Sequence, residues 1–61
     1  MERLLKIKEA AALLNVNPRH LYVLVRQKKV PYVRVGKAIR FSIEALSEWA
    51  KKGADDEVHS N

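Results

Sequence analysis

Asn17 stands directly before Pro18, and this pair constrains the chain more than any other feature. Proline has no N–H and a φ fixed at about −65°, so it breaks a helix from inside but suits the first helical position. Asparagine is among the best residues for the capping position just before it. A helix therefore starts at Pro18, and Leu21, Leu24 and Val25 follow helical spacing and carry it to about Lys28. Upstream, residues 8–14 (KEAAALL) are rich in Ala and Leu, both strong helix formers. They predict another helix, which stops at the turn-like Asn15-Val16-Asn17.

Two helices separated by only three or so residues have the geometry of a helix-turn-helix. Beyond them Pro31 blocks further helix, and residues 32–41 (YVRVGKAIRF), β-branched and aromatic around Gly36, predict a hairpin. Alternation would give it a buried face of Val33, Val35, Ile39 and Phe41 and an open face of Tyr32, Arg34 and Arg40. A two-residue Gly36-Lys37 loop would pair Arg34 with Ile39 and mix those faces. A loop of Gly36 to Ala38, or a bulge, pairs Arg34 with Arg40 and Val35 with Ile39, so the odd loop is expected. Leu4, Leu5 and Ile7 offer one more short extended segment. Ser42 caps a third helix with Ile43, Leu46, Trp49 and Ala50 on one face, and Gly53 ends it. The expected architecture is mainly α with a small β-hairpin, one domain over residues 1–53, and a disordered acidic tail over 54–61.

Sixty-one residues leave little room for a deep catalytic cavity. With no cysteine there are no disulfides, thiolate metal sites or thiol nucleophiles. No apolar run approaches the roughly 20 residues of a membrane span, and the N-terminus shows no apolar signal segment, so a cytoplasmic protein is expected. The net charge of +5 is unevenly spread. From Ala10 to Ile43 there is no acid at all, while Arg19, Arg26, Lys28, Lys29, Arg34, Lys37 and Arg40 supply seven positive charges. Such a field calls for a polyanion, nucleic acid first and an anionic membrane surface second, unless it is merely a basic solvated surface.

Catalytic signals are missing. His20 and His59 lack metal-ligand spacing, and neither a nucleophile elbow nor a phosphate loop occurs. No enzyme activity, metal or cofactor is expected. Glu44 and Glu48 read as a solvated face. The second helix, by contrast, breaks a local rule. Its first turn holds Arg19 and His20, where the positive end of the macrodipole favours Asp or Glu. Free N–H groups, the dipole and two cationic side chains make this end suited to phosphates or base edges. Arg19, His20, Val23, Arg26 and Gln27 are expected to face outward. Tyr22 falls at the border, either as a core ring or with its hydroxyl toward a phosphate. Val23 could touch a thymine methyl or be an ordinary surface valine. Arg26 could instead pair with a glutamate of the third helix. Lys28 and Lys29 sit where a helix C-terminus welcomes cations, which gives them a structural reason to be there. Lys37 lies at the hairpin tip, with Arg34 and Arg40 flanking it.

In this order, KEAAALLNVNPRHLY, VPYVRVGK and IRFSIEALSEW resemble the excisionase-family, MerR-like winged helix-turn-helix DNA-binding domain, from residue 4 to about residue 50. The resemblance implies two helix-turn-helix helices, a two-stranded wing and a closing helix, with the second helix in the major groove of double-stranded DNA. It implies that Arg19, His20, Tyr22 and Arg26 lie at the DNA with the second helix, and Arg34, Lys37 and Arg40 with the wing. Three positions depart from the family's habits: Lys6 where Ser or Thr often caps the first helix, Val23 where a basic residue is frequent, and Ile39 where an aromatic is frequent. The implied function is assistance to site-specific recombination, by shaping DNA or recruiting a recombinase. A small transcriptional regulator working with RNA polymerase, or the DNA-targeting domain of a longer enzyme, are the alternatives. A monomer is expected in isolation, with cooperative binding on DNA left open.

Overall fold

The computed structural model describes residues 3–53; the tail expected over 54–61, with His59, lies outside them. The order of elements is β1 (Leu4–Leu5), α1 (Ile7–Leu14), α2 (Pro18–Arg26), β2 (Val33–Val35), β3 (Ala38–Ser42) and α3 (Ile43–Lys51). Three helices and a three-stranded antiparallel sheet in the order β1-β3-β2 make a winged helix-turn-helix, mainly α, with the β2–β3 hairpin as the wing.

The caps explain the helix boundaries. Asn17 accepts a hydrogen bond from the Arg19 N–H at 2.8 Å, with Pro18 in the first turn as expected. The Ser42 hydroxyl accepts from the Ala45 N–H at 3.1 Å and starts α3. α1 begins one residue earlier than expected, at Ile7. The Glu9 carboxylate reaches back to the Lys6 N–H at 2.8 Å, which is the half of a capping box that needs no hydroxyl at the cap. Both helix-turn-helix helices end in a left-handed residue. After α1 it is Asn15 (φ 59°), whose short polar side chain tolerates that region. After α2 it is Lys28 (φ 57°). The Lys28 N–H donates to the Val25 carbonyl and the Lys29 N–H to the Leu24 carbonyl, both at 2.9 Å, closing a Schellman turn. α2 therefore stops at Arg26, short of the expected Lys28.

The core is small: Leu5, Ala10, Ala11, Leu21, Val25, Val30, Phe41 and Leu46. Ala10 and Ala11 let α1 approach α2 closely, and Phe41 is wholly buried under the helices. Leu24 and Trp49 pack against this cluster, in line with expectation. The face of α3 is corrected. Ile43 is 39% exposed and Ala50 is exposed, so Leu46 and Trp49 carry the packing, with Ala45 half-buried.

The hairpin corrects the expected register. Val33 pairs with Arg40, Arg34 with Ile39, and Val35 with Ala38, leaving Gly36-Lys37 as a two-residue loop. Gly36 has φ 64° and Lys37 is not in the positive-φ region, the pattern of a type II′ turn with glycine first. That turn twists with the strands, and its demand for glycine in the first loop position outweighs the alternation of side chains. Residues directly opposite share a face, so Arg34 lies with Ile39 and Phe41, and Leu5 of β1 joins them opposite Phe41. Val33 and Val35 turn outward with Arg40, and Val35 is 52% exposed. The expected buried valines and the expected Arg34–Arg40 pair are thus both absent.

Candidate nucleic-acid interface

α2 and the wing enclose an open groove of about 390 Å³, lined by Tyr22, Val25, Arg26, Lys28, Tyr32, Arg34, Lys37 and Ile39. Each lining residue has a local reason to be there. Tyr22 and Arg26 are four apart on α2 and share a face. The Schellman turn lifts Lys28 out of the helical path. The II′ loop puts Lys37 at the tip, and the pairing of Arg34 with Ile39 turns Arg34 toward the helices rather than away. Four cations converge, and no carboxylate of the described residues lines the groove. Among the described residues none of the four makes an ion pair; the ion pair formed there is Arg3–Glu9 at 2.8 Å. Arg26 thus has no glutamate partner on α3. Unneutralised charge over an apolar floor of Val25, Ile39 and two tyrosines suits a polyanion whose backbone is charged and whose edges are not.

A second groove, of about 360 Å³, is lined by Lys6, Ile7, Lys8, Tyr22, Ile39 and Arg40. Tyr22 and Ile39 line both grooves and form the ridge between them. Arg40, expected beside Arg34, instead donates from its guanidinium to the Ile39 carbonyl at 2.8 Å and belongs to this second groove.

The residues expected at a partner therefore fall into three groups. Tyr22, Arg26, Arg34 and Lys37 meet in the first groove. Arg40 is in the second. Arg19, His20, Val23 and Gln27 are exposed along α2 and line neither. Tyr22 is 51% exposed, so its ring is a surface platform rather than a core ring. Sequence reasoning missed Lys6, Lys8, Lys28 and Tyr32. A signal for Lys8 was present: it sits in the first turn of α1, against the helix dipole, as Arg19 does in α2. Lys28 was hidden because the C-terminal cap supplied a sufficient reason for a cation.

On a different side, Arg3, Leu5, Glu9, Ala12, Leu13 and Ile43 line a shallow apolar groove that shares no residue with the other two. Among the described residues no group of three or more His, Cys, Asp or Glu is placed to hold a metal ion, and no helix is long and apolar enough to cross a membrane.

Comparison with known families decides which polyanion is meant. The model of the helix-turn-helix domain matches residues 4–54, most of the chain. The chain belongs to this helix-turn-helix domain family. Membership implies DNA binding, and the two basic grooves flanking the second helix of the helix-turn-helix domain accord with it. Neither a curated protein nor a solved structure matches the chain.

Proposed function

We propose that the chain is a small, sequence-preferring double-stranded-DNA-binding protein of the MerR-like, excisionase type. α2 enters the major groove, and the wing lies on an adjacent groove or the backbone. The protein performs no chemistry of its own. It assists site-specific recombination by shaping DNA or by recruiting a recombinase. The observation that carries this reading is the groove between α2 and the wing, where Arg26, Lys28, Arg34 and Lys37 gather around Tyr22 and Tyr32 with no ion-pair partner among the described residues.

On this reading Arg19 and Arg26 meet base edges or phosphates at the two ends of α2. His20, Val23 and Gln27 face the groove floor, and Tyr22 brings a hydroxyl to the backbone. Arg34 and Lys37 hold phosphates from the wing. A helix about 13 Å long, at 1.5 Å per residue, reaches only a few base pairs, so phosphate contacts must supply much of the affinity.

The test is duplex binding at several salt concentrations. Five neutralised phosphates give a slope of log affinity against log salt of about −4.5. A slope near zero refutes the DNA reading. Selection from a randomised duplex library then yields a consensus, and end-to-end distance on that site reports bending. A straight duplex with no recombinase recruited removes the recombination role and leaves the DNA binding.

A further inference from the structure

We infer that Lys6, Lys8 and Arg40 form a second phosphate-holding site, so that the protein grips a duplex on both sides of Tyr22. This rests on the DNA-binding reading and extends it to the start of α1.

The first support is the lining. Three cations, from the start of α1 and from β3, surround one groove with an apolar floor of Ile7 and Ile39, and no carboxylate of the described residues lines it. The second is the fate of the nearest acid. Glu9 is only one residue from Lys8, yet it does not line this groove. Its carboxylate takes the Lys6 N–H and the Arg3 guanidinium, each at 2.8 Å, and lies in the apolar groove beside Leu13 and Ile43. Arg3 is the residue that forms the ion pair with Glu9, and among the described residues no carboxylate pairs with the Lys6 or Lys8 ammonium. The third is the hydrogen bond from Arg40 to the Ile39 carbonyl, which fixes one edge of the guanidinium and leaves other N–H donors for a ligand. The fourth is continuity. Tyr22 and Ile39 line both grooves, so one extended polyanion crossing Tyr22 meets both sets of cations. A small free anion would need only one set.

The hairpin register makes this division of labour unavoidable. Arg34 and Arg40 stand on opposite faces of the wing, so they cannot serve one phosphate together. Arg34 acts with α2, and Arg40 acts with the start of α1.

The experiment compares salt slopes for four proteins on one duplex: the unaltered chain, Lys6→Gln with Lys8→Gln, Arg40→Gln, and Lys51→Gln with Lys52→Gln. The last removes the same charge as the first pair from exposed positions outside both grooves. The Lys6/Lys8 pair is expected to flatten the slope by about 2 and Arg40→Gln by about 1, at about 0.9 per phosphate. The Lys51/Lys52 pair should leave it near the unaltered value. Thermal melting confirms that each variant folds, and Arg40→Lys, which keeps the charge, restores most of the slope if Arg40→Gln perturbs the hairpin. Duplexes with single methylphosphonate linkages then locate the contacts. The phosphates that stop mattering in the Lys6/Lys8 variant should differ from those that stop mattering in Lys37→Gln. If the Lys6/Lys8 pair behaves like the Lys51/Lys52 pair, the second site does not exist, while a flattened slope in Lys37→Gln would leave the DNA reading intact. If the unaltered chain binds no duplex, both readings fall.

Discussion

Lys28→Gly should make the protein more stable and a weaker DNA binder at the same time. Lys28 holds φ 57°, in the left-handed region, at the end of α2. For a residue with a Cβ that region costs about 1–2 kcal/mol, and glycine enters it freely. Glycine gives back about 0.5–1 kcal/mol through the greater freedom of its unfolded chain. The net gain is then about 0.5–1 kcal/mol, against a total stability of roughly 3–9 kcal/mol for a chain of this length. For so small a domain that raises Tm by about 2–8 °C. The two backbone bonds of the Schellman turn, from Lys28 to Val25 and Lys29 to Leu24, need no side chain and should survive.

The cost appears in binding. Lys28 lines the groove beside Arg26, Arg34 and Lys37, so its loss removes about one phosphate contact and flattens the salt slope by about 0.9. Thermal melting by circular dichroism and duplex titration at several salt concentrations measure the two halves separately. Lys28→Asn is the control: asparagine tolerates the left-handed region, so it should lose the charge with a smaller gain in Tm. A lower Tm for Lys28→Gly would refute the strain argument. A higher Tm with an unchanged slope would show that Lys28 is strained for no benefit at the DNA.

Arg19→Ala should narrow the gap between a specific and a nonspecific duplex by about 1–3 kcal/mol, because base contacts discriminate. Lys37→Ala should weaken both duplexes alike and flatten the salt slope by about 1, and measuring both mutants on the same two duplexes decides whether helix or wing is the reader. Asn17→Ala removes the acceptor for the Arg19 N–H and should cost about 1 kcal/mol in urea unfolding. The Glu9 carboxyl lies below its ordinary range because the Lys6 N–H bonds it and the Arg3 and Lys6 charges favour its ionised form. Its contribution is therefore complete above the unfolded carboxyl's pKa and is lost as pH falls through the lower folded value. Glu9→Gln should show a shallower fall of stability in acid, and an unchanged acid limb would show that the carboxylate contributes nothing.

The helices were legible because their signals are local. Asn17-Pro18, Ser42 and Gly53 act through the backbone within one turn, and the structure places a boundary at each. α1 was off by one residue because its cap uses the Glu9 side chain in reverse instead of a hydroxyl at Lys6. Val30 was given no role from the sequence, although its side chain is buried with Leu21 and Phe41. No short-range pattern marks a single apolar residue between a helix and a proline as core. The candidate interface divides the same way. The residues of α2 are exposed as expected, since helical spacing alone decides that. The meeting of Lys28, Tyr32 and Arg34 with Tyr22, and of Lys6 and Lys8 with Arg40, depends on how α1, α2 and the wing pack, which no spacing within one element encodes.

The hairpin matters most, because one slip in its register would exchange its two faces. In the observed register a single face of the sheet changes character along its length. Phe41, opposite Leu5, is wholly buried; Ile39 is half-buried at the rim of the core; Arg34, opposite Ile39, is exposed and lines the groove. The face that closes the core thus runs on as the wall of the basic groove, and the packing that fixes Phe41 also fixes where Arg34 points. In the slipped register Arg34 would stand with Arg40 on the outer face, and the groove would lose one of its four cations. The cost of the true register is visible on the reverse side, where Val33 and Val35 are left to solvent. Two exposed valines on a short edge strand make a poor stability choice, and they become intelligible once the II′ turn and the position of Arg34 are taken as the features the hairpin must satisfy.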